Sequence, residues 1–252
     1  MLNLLKRANR ALARRSDYHI GNAIRTGWWR RTLFPLLAGD PKRVLDAGSG
    51  AGQHTLELAA HFPTAQILGL DNRPEAVAQA QSKADLRGLR NVHFAVADLS
   101  RPLAAGDFDL IYSIDVIEHI PADQAMLDAL AQALRPGGRL FIHTPLAPQK
   151  HFFRRFDLDR NTNPLHARAG YARGELEAKA AAAGLTAIDP LYTHGRAGTL
   201  AWELWQLVRP WAPPKLLIWP LLKLLVAWET RRRHTDGNCI FLCAQKAAIG
   251  DS

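Results

Sequence analysis

The sequence predicts an α/β fold, a mostly parallel sheet covered by helices on both faces. Three observations predict it. From Lys42 onward, short apolar runs alternate with helix-like stretches. A glycine-rich loop, Gly48-Ser49-Gly50-Ala51-Gly52, joins the first run to the first of these helices. Acidic residues, Asp71 and Asp98, stand at the ends of the next two runs.

The elements follow in order. Leu2, Leu5, Ala8 and Leu12 recur at helical spacing among Lys6, Arg7, Arg10 and Arg14, so a basic amphipathic helix opens the chain. A second helical stretch, Gly21–Leu37, carries Trp28 and Trp29 among arginines. Arg43–Ala47 is a short buried strand, and Gln53–His61 is a helix that Pro63 follows. Gln66–Leu70 is the second strand. Pro74 suits the first turn of the next helix, where its missing N–H costs nothing, and Gly88 suits the position just past its end. Asn91–Val96 and Phe108–Ser113 are strands three and four. Pro121 opens a helix that runs to Leu134, Arg135-Pro136-Gly137-Gly138 turns the chain, and Arg139–His143 is strand five. His151–Arg168 is charged and polar, a loop or lid. Glu175–Ala183 is an Ala-rich helix closed by Gly184, Leu185–Tyr192 is strand six, and Asn238–Gln245 is the last strand. The expected organisation is a basic helical arm (1–41), a core (42–196), a Trp-rich helical insertion (197–234), and a final strand with a tail (235–252).

An apolar content of 48% over 252 residues supports a packed core and excludes wholesale disorder. The net charge of +9 is uneven. Residues 1–31 hold eight Lys/Arg against one acidic residue, Asp17, so the arm alone carries +7. Such an arm suits an anionic membrane surface or nucleic acid; for the whole chain no nucleic-acid partner is expected. The two cysteines, Cys239 and Cys243, lie four apart on one strand and read as buried thiols in a reducing cytoplasm. Met1–Ser16 has no apolar segment behind its basic stretch, so no secretory signal is expected, while its composition leaves a transit peptide open.

The glycine loop carries the chemistry. Glycines let the backbone turn sharply and let a ligand lie against the main chain. The helix that follows offers free N–H groups to a carboxylate or phosphate. Alone, the loop reads equally well as a tight structural turn. Asp71 lies 21 residues after Gly50 at the end of the second strand. Ligands of open α/β sheets bind beyond the carboxyl ends of the strands, where such a carboxylate accepts from both ribose hydroxyls. Asp98, just after strand three, is placed to accept from an adenine amino group.

With these residues, Ile67–Asp71, Ala97-Asp98-Leu99, Phe108–Pro121 and Leu134–Pro145 resemble a class I S-adenosylmethionine (SAM)-dependent methyltransferase of the small-molecule type, similar to the ubiquinone-biosynthesis-type enzymes. His166, Arg168, Gly170 and Tyr171, leading into Glu175-Leu176, resemble a further element of that family. The resemblance covers about residues 42–193 and the final strand. It implies a Rossmann-like sheet of seven strands with the last antiparallel, and SAM as cofactor. Position by position, Gly48, Ser49, Gly50 and Gly52 would face the methionine part, and Asp46 would orient their loop. Asp71 with Asn72 would hold the ribose, Asp98 with Leu99 would frame the adenine, and Ser113 would line the floor near the sulfonium. Dinucleotide dehydrogenases share the first strand, loop and acidic residue, but their loop is G-x-G-x-x-G; here the third glycine comes one residue early. A nicotinamide-dependent oxidoreductase is therefore the weaker enzyme reading. A non-catalytic scaffold that binds membrane or protein would have no need of the glycines, Asp71 and Asp98 together.

Methyl transfer from a sulfonium is a direct displacement, served by alignment and exclusion of water. A neutral hydroxyl acceptor would also want a base. His143, ending strand five, and His119, following strand four, are the candidates. His54, His19, His151 and His166 rank below them. No metal-ligand cluster is expected. The block Thr199–Arg233 holds five of the seven tryptophans, and Leu217, Leu221, Leu224, Leu225 and Trp228 share one helical face. Its apolar stretch is too short to span a bilayer, and Pro220 should kink or delay its helix. Trp beside Arg231-Arg232-Arg233 suits a membrane interface; a lid or a dimer contact is the alternative. The acceptor expected from these features is small and apolar or lipid-linked. Peripheral membrane contact would run through residues 1–15 and 199–233 of an otherwise cytoplasmic protein.

Overall fold

The computed structural model describes residues 19–37, 43–153, 166–208 and 212–248. The opening helix, Trp211 and most of the expected lid lie outside them. The described residues fall into two units: 36–37, 43–148, 166–191 and 239–248 in the larger, and 19–35, 149–153, 192–208 and 212–238 in the smaller.

In the larger unit, β1 (Arg43–Ala47), α2 (Gln53–His61), β2 (Gln66–Asp71), α3 (Pro74–Leu86), β3 (Val92–Val96), β4 (Phe108–Ile114), α4 (Asp123–Ala133), β5 (Leu134–Pro145), α5 (Glu175–Ala182), β6 (Leu185–Thr193) and β7 (Cys239–Lys246) alternate as expected. The seven strands form one sheet in the order β3-β2-β1-β4-β5-β7-β6. β1 to β5 pair in parallel, whereas β7 runs antiparallel to β5, from Arg139 opposite Gln245 to Pro145 opposite Cys239. The chain winds outward from β1 in one direction and, from β4, in the other. That reversal leaves a crevice beyond the carboxyl ends of β1 and β4. The central strands read as near-continuous apolar runs because both faces are covered: Val44, Leu45, Ile111 and Leu140 are all buried. The turn Arg135–Gly138 is taken into β5, where the register slips between Phe108 and Leu110 of its partner. Both cysteines lie on β7, Cys239 buried and Cys243 only partly so, against the expectation that both are buried.

The smaller unit joins what the sequence kept apart. Helix α1 (Ile20–Leu37) groups with α6 (Arg196–Val208) and α7 (Ala212–Arg231). Its apolar positions Ile20, Ile24 and Trp28, one per turn, are buried. The Trp28 ring lies 5.8 Å from that of His234, and a side chain at Gly27 would meet Thr230 Cγ2 at 2.7 Å. Helix α7 runs through Pro220 as one element, and no described helix is long and apolar enough to cross a membrane. One buried carboxylate closes the unit. Glu229 accepts hydrogen bonds from the N–H groups of Gly195 (2.8 Å) and Gly198 (3.0 Å), which open α6, and pairs with His234 at 3.2 Å. Backbone donors at a helix start have no partner in their own helix, so a neighbouring helix supplies one. Replacing Glu229 with Ala would strand these donors. We expect a loss of about 2–4 kcal/mol of unfolding free energy in urea, with Glu229→Gln losing less; a change below about 0.5 kcal/mol, as at an ordinary surface site, would contradict this role.

Candidate active site

The glycine loop is built by backbone demands. The N–H groups of Gly48 and Ser49 both donate to the Leu70 carbonyl at 2.8 Å, which folds the loop over the end of β2. Gly48 has φ 96°, and a Cβ there would lie 2.2 Å from Val116 Cγ2. No other residue fits that position. Gly52 is also left-handed, but its side-chain direction points at Ala80 and Phe94. It packs α2 against these neighbours. Lys83 Nζ, from α3, holds the Ala51 carbonyl at 2.9 Å.

Asp46 supports the loop from beneath. It is buried, and its Oδ2 accepts from Thr55 Oγ1 (2.6 Å) on α2 and from Tyr112 OH (2.9 Å) on β4. Burial raises its pKa to about 7, against the opposing pull of the Thr55 and Tyr112 hydrogen bonds. Burial, with the Asp46 charge beside it, pushes the Tyr112 hydroxyl well above its ordinary value.

Beyond these strand ends lies a cavity of about 460 Å³. Of the residues picked out in the sequence, Gly48, Asp71, Asn72, Asp98, Leu99 and His119 line it; Arg73, Ile114, Asp115, Val116 and Ile120 complete the wall. Asp71 is buried. Its Oδ2 accepts from the Gly50 N–H at 2.8 Å, and its Oδ1 from Arg73 N and Nε, both at 3.0 Å. The Arg73 side chain is two-thirds exposed. Asp98 is exposed, and the Ser100 hydroxyl (2.6 Å) and N–H (3.0 Å) hold its carboxyl below the usual range. Ser49 Oγ is buried without a partner among the described residues, an orphan in the middle of the loop.

Six expected residues are not among those that line the cavity: Asp46, Ser49, Gly50, Gly52, Ser113 and His143. Ser113 is fully buried, and its hydroxyl donates to the Ala47 carbonyl at 2.7 Å, tying β4 to β1. His143 is also buried; its ring lies 5.7 Å from Phe241, and its Nδ1 is 2.5 Å from Asp115 Oδ1. His143 thus braces Asp115, a residue the sequence reading did not select. The signal for Asp115 is conformational: it follows β4 at φ 51°, rare for a non-glycine residue.

The structure also brings together residues that the sequence did not. His166 packs edge-on to His119 with ring centres 4.5 Å apart. Burial, then the charge of His119, lowers the His166 pKa. With Glu118 they offer three ligand atoms within 4.8 Å of one another, a cluster the sequence gave no reason to expect because 47 residues separate the two histidines.

A glycine loop, an orphaned hydroxyl and two strand-end carboxylates fit a ligand that joins an amino-acid end to a nucleoside. Residues 39–177 match the family described as methyltransferase domain. The chain is similar to the trans-aconitate 2-methyltransferase of Deinococcus radiodurans, at 31% identity over 68% of this chain and 72% of that one. It is also similar to the ubiquinone biosynthesis O-methyltransferase of Aromatoleum aromaticum, at 34% identity over 50% of this chain and 52% of that one. The chain spans about half the length of most of the curated relatives it matches. Among solved structures it resembles phosphoethanolamine N-methyltransferase 2 of Haemonchus contortus in complex with phosphomonomethylethanolamine and S-adenosylhomocysteine. That likeness has a TM-score of 0.61 at 20% identity, covering 87% of this chain and 53% of the other.

The pKa of Asp46 has a consequence for stability. Its folded value of about 7 stands above the ordinary 3.8, so the native state binds the proton more tightly than the unfolded chain does. This contribution is complete below about pH 4 and is lost as pH rises to about 7. It amounts to about 4 kcal/mol at most. Urea unfolding across that range should show the wild type losing stability relative to Asp46→Asn; parallel curves would contradict it.

Proposed function

Because this chain belongs to the SAM-dependent methyltransferase family, we propose that it transfers the methyl group of SAM to a small acceptor, apolar or lipid-linked, at a membrane surface. The observation that carries the first part is the cavity at the ends of β1 to β4, with the glycine loop on one side and Asp71 and Asp98 beyond it. When bound, SAM supplies a methyl group on a positively charged sulfur, open to direct displacement.

The residues of the chain do the rest. Gly48 lets the loop turn close against Val116 beside the amino-acid end, and the Ser49 hydroxyl gains there the partner it lacks. Asp71 holds the ribose with Asn72. Three of its four acceptor positions are used, and the exposed Arg73 guanidinium is the donor that can yield. Asp98 accepts from the adenine amino group, against Leu99. Ile114, Val116 and Ile120 give the cavity an apolar side that keeps water from the reacting atoms. His119 is the histidine among the described residues that lines this cavity.

The membrane part rests on α7. Leu217, Leu221, Leu224 and Trp228 follow one another at helical spacing and are exposed by 80%, 50%, 68% and 46%. Lys223 lies among them, and Arg231, Arg232 and Arg233 follow, with the Arg232 guanidinium 4.6 Å from the centre of the Trp228 ring. An apolar stripe beside cations suits an interface of anionic lipid. A reducing, cytoplasmic compartment suits a chain with two cysteines.

Two measurements test these parts separately. Calorimetric titration with SAM should show binding weakened about 10- to 100-fold by Asp71→Ala, the worth of a charged hydrogen-bond acceptor; undiminished binding would remove Asp71 from the site. Co-sedimentation with phosphatidylglycerol vesicles should fall sharply in the triple variant Leu217→Glu, Leu221→Glu, Leu224→Glu, while its SAM affinity holds. Equal partitioning of the two proteins would end the membrane proposal.

A further inference from the structure

We propose that a cavity of the smaller unit binds a single-chain lipid phosphate, with the phosphate among the basic side chains near the start of α6 and the apolar chain in the adjoining groove between α6 and α7. The site depends neither on methyl transfer nor on docking of α7 to a membrane.

The cavity measures about 570 Å³, within the range of pockets that take a small organic molecule. Its walls come from the 150–152 segment, the loop into α6 and the 233–238 segment that follows α7. Buried polar groups lock these walls together. The Asn238 side chain accepts from Lys150 N and donates to the Lys150 carbonyl, both at 2.7 Å, and donates to Thr199 Oγ1 at 3.1 Å. The Thr199 hydroxyl (2.9 Å) and the Asn238 N–H (3.1 Å) both donate to the His194 carbonyl. Buried Glu203, on α6, accepts from the N–H groups of Phe152 and Phe153 at 3.1 Å and pairs with His151 at 3.0 Å. Glu229 holds the start of α6 and His234 in the same manner. Both buried carboxylates are therefore satisfied where they stand. The two loops meet so closely that a side chain at Gly237 would lie 2.2 Å from the Thr193 carbonyl oxygen. A cavity fixed by main-chain contacts spares a ligand the cost of ordering its walls.

The charges of the lining select the ligand. Lys150, Arg196 and Arg233 bring three positive charges, and His151, His194 and His234 bring imidazoles. Among the described lining residues Asp236 is the one carboxylate, and Lys150 pairs with it. The balance favours an anion. A phosphate monoester carries about 1.5 to 2 negative charges at neutral pH and three strong acceptor oxygens, which suits two guanidinium groups better than a single carboxylate does. The lining does not end at these cations. Phe152, Arg196 and Trp228 also line a second hollow of about 620 Å³, so the two are continuous. Ala197 and Leu200 of α6 stand on one side of it, and Leu224 and Leu225 of α7 on the other, with Arg231 adding a further cation. Phe152, Leu224 and Trp228 are exposed by 47%, 68% and 46%. An open apolar groove that begins at fixed cations matches a molecule with an anionic head and an apolar chain, and buries the chain from water.

The test is a calorimetric titration of the full chain with oleoyl lysophosphatidate, kept below its micelle-forming concentration. One equivalent should bind. Inorganic phosphate, which is the head alone, and monooleoylglycerol, which lacks the phosphate, should each bind at least about 10-fold more weakly. Arg196 is exposed, so Arg196→Glu should keep the fold by circular dichroism while weakening lysophosphatidate binding about 10- to 100-fold. Leu224→Glu, also at an exposed position, should weaken it about 10-fold. Absence of binding, wild-type affinity in either variant, or equal affinity for phosphate or for monooleoylglycerol would overturn the site. A monomeric lipid in place of vesicles keeps the result apart from membrane docking. Titration of the same samples with SAM keeps it apart from methyl transfer: retained SAM binding beside absent lysophosphatidate binding rejects this site alone.

Discussion

The site depends on how closely the carboxyl ends of β1 and β4 approach. Val116, just past β4, comes so near Gly48 that no side chain fits between them. That closeness follows from the reversal of the strand order at β1 and β4, the place where an open parallel sheet leaves a crevice. Asp46 keeps the two ends in register with the helix below, because one carboxylate oxygen accepts from Thr55 on α2 and from Tyr112 on β4. Ser113 adds a hydroxyl bridge from β4 to the Ala47 carbonyl. Side chains that look catalytic by position thus serve to hold two strand ends together, and the cavity is what this bracing leaves open.

The division of labour explains which parts of the site the sequence shows. Asp71, Asn72, Asp98 and Leu99 are legible because each follows the end of a recognisable strand and the sheet brings successive ends to one edge. Gly48 is legible as a turn, yet its reason, Val116, lies in another segment. Ser113 and His143 mislead. Both lie at the ends of central strands, where successive side chains alternate between faces. Whether such a side chain meets a cavity or a neighbouring strand depends on twist and register, which composition does not reveal. At Gly52 the side-chain direction is taken up by Ala80 and Phe94, which no spacing in the sequence announces.

The fold itself is more legible than the site. Strand and helix bounds agree closely with apolar periodicity, Pro74 and Gly88 mark the ends of α3 as capping chemistry requires, and the antiparallel β7 is as the family resemblance implies. The smaller unit is harder to read. Its helices carry apolar residues on more than one side, so the sequence cannot say which indoles are inside: Trp205 is buried while Trp228 is exposed. The partner of α1 is equally hidden. Helical periodicity shows that Ile20, Ile24 and Trp28 need cover, but not that the cover comes from a segment some two hundred residues downstream.

The chemistry of the cavity narrows once its wall is known. His143 is spent on Asp115, and Asp46 lies beneath the loop rather than in the wall. Of the two histidines the sequence offers as a base, only His119 reaches the cavity. It stands edge-on against His166. A free imidazole serves any hydroxyl that can approach it. An amine acceptor would not require it. The clamp between the Glu118 carbonyl and the 166–168 segment holds His166 against that imidazole.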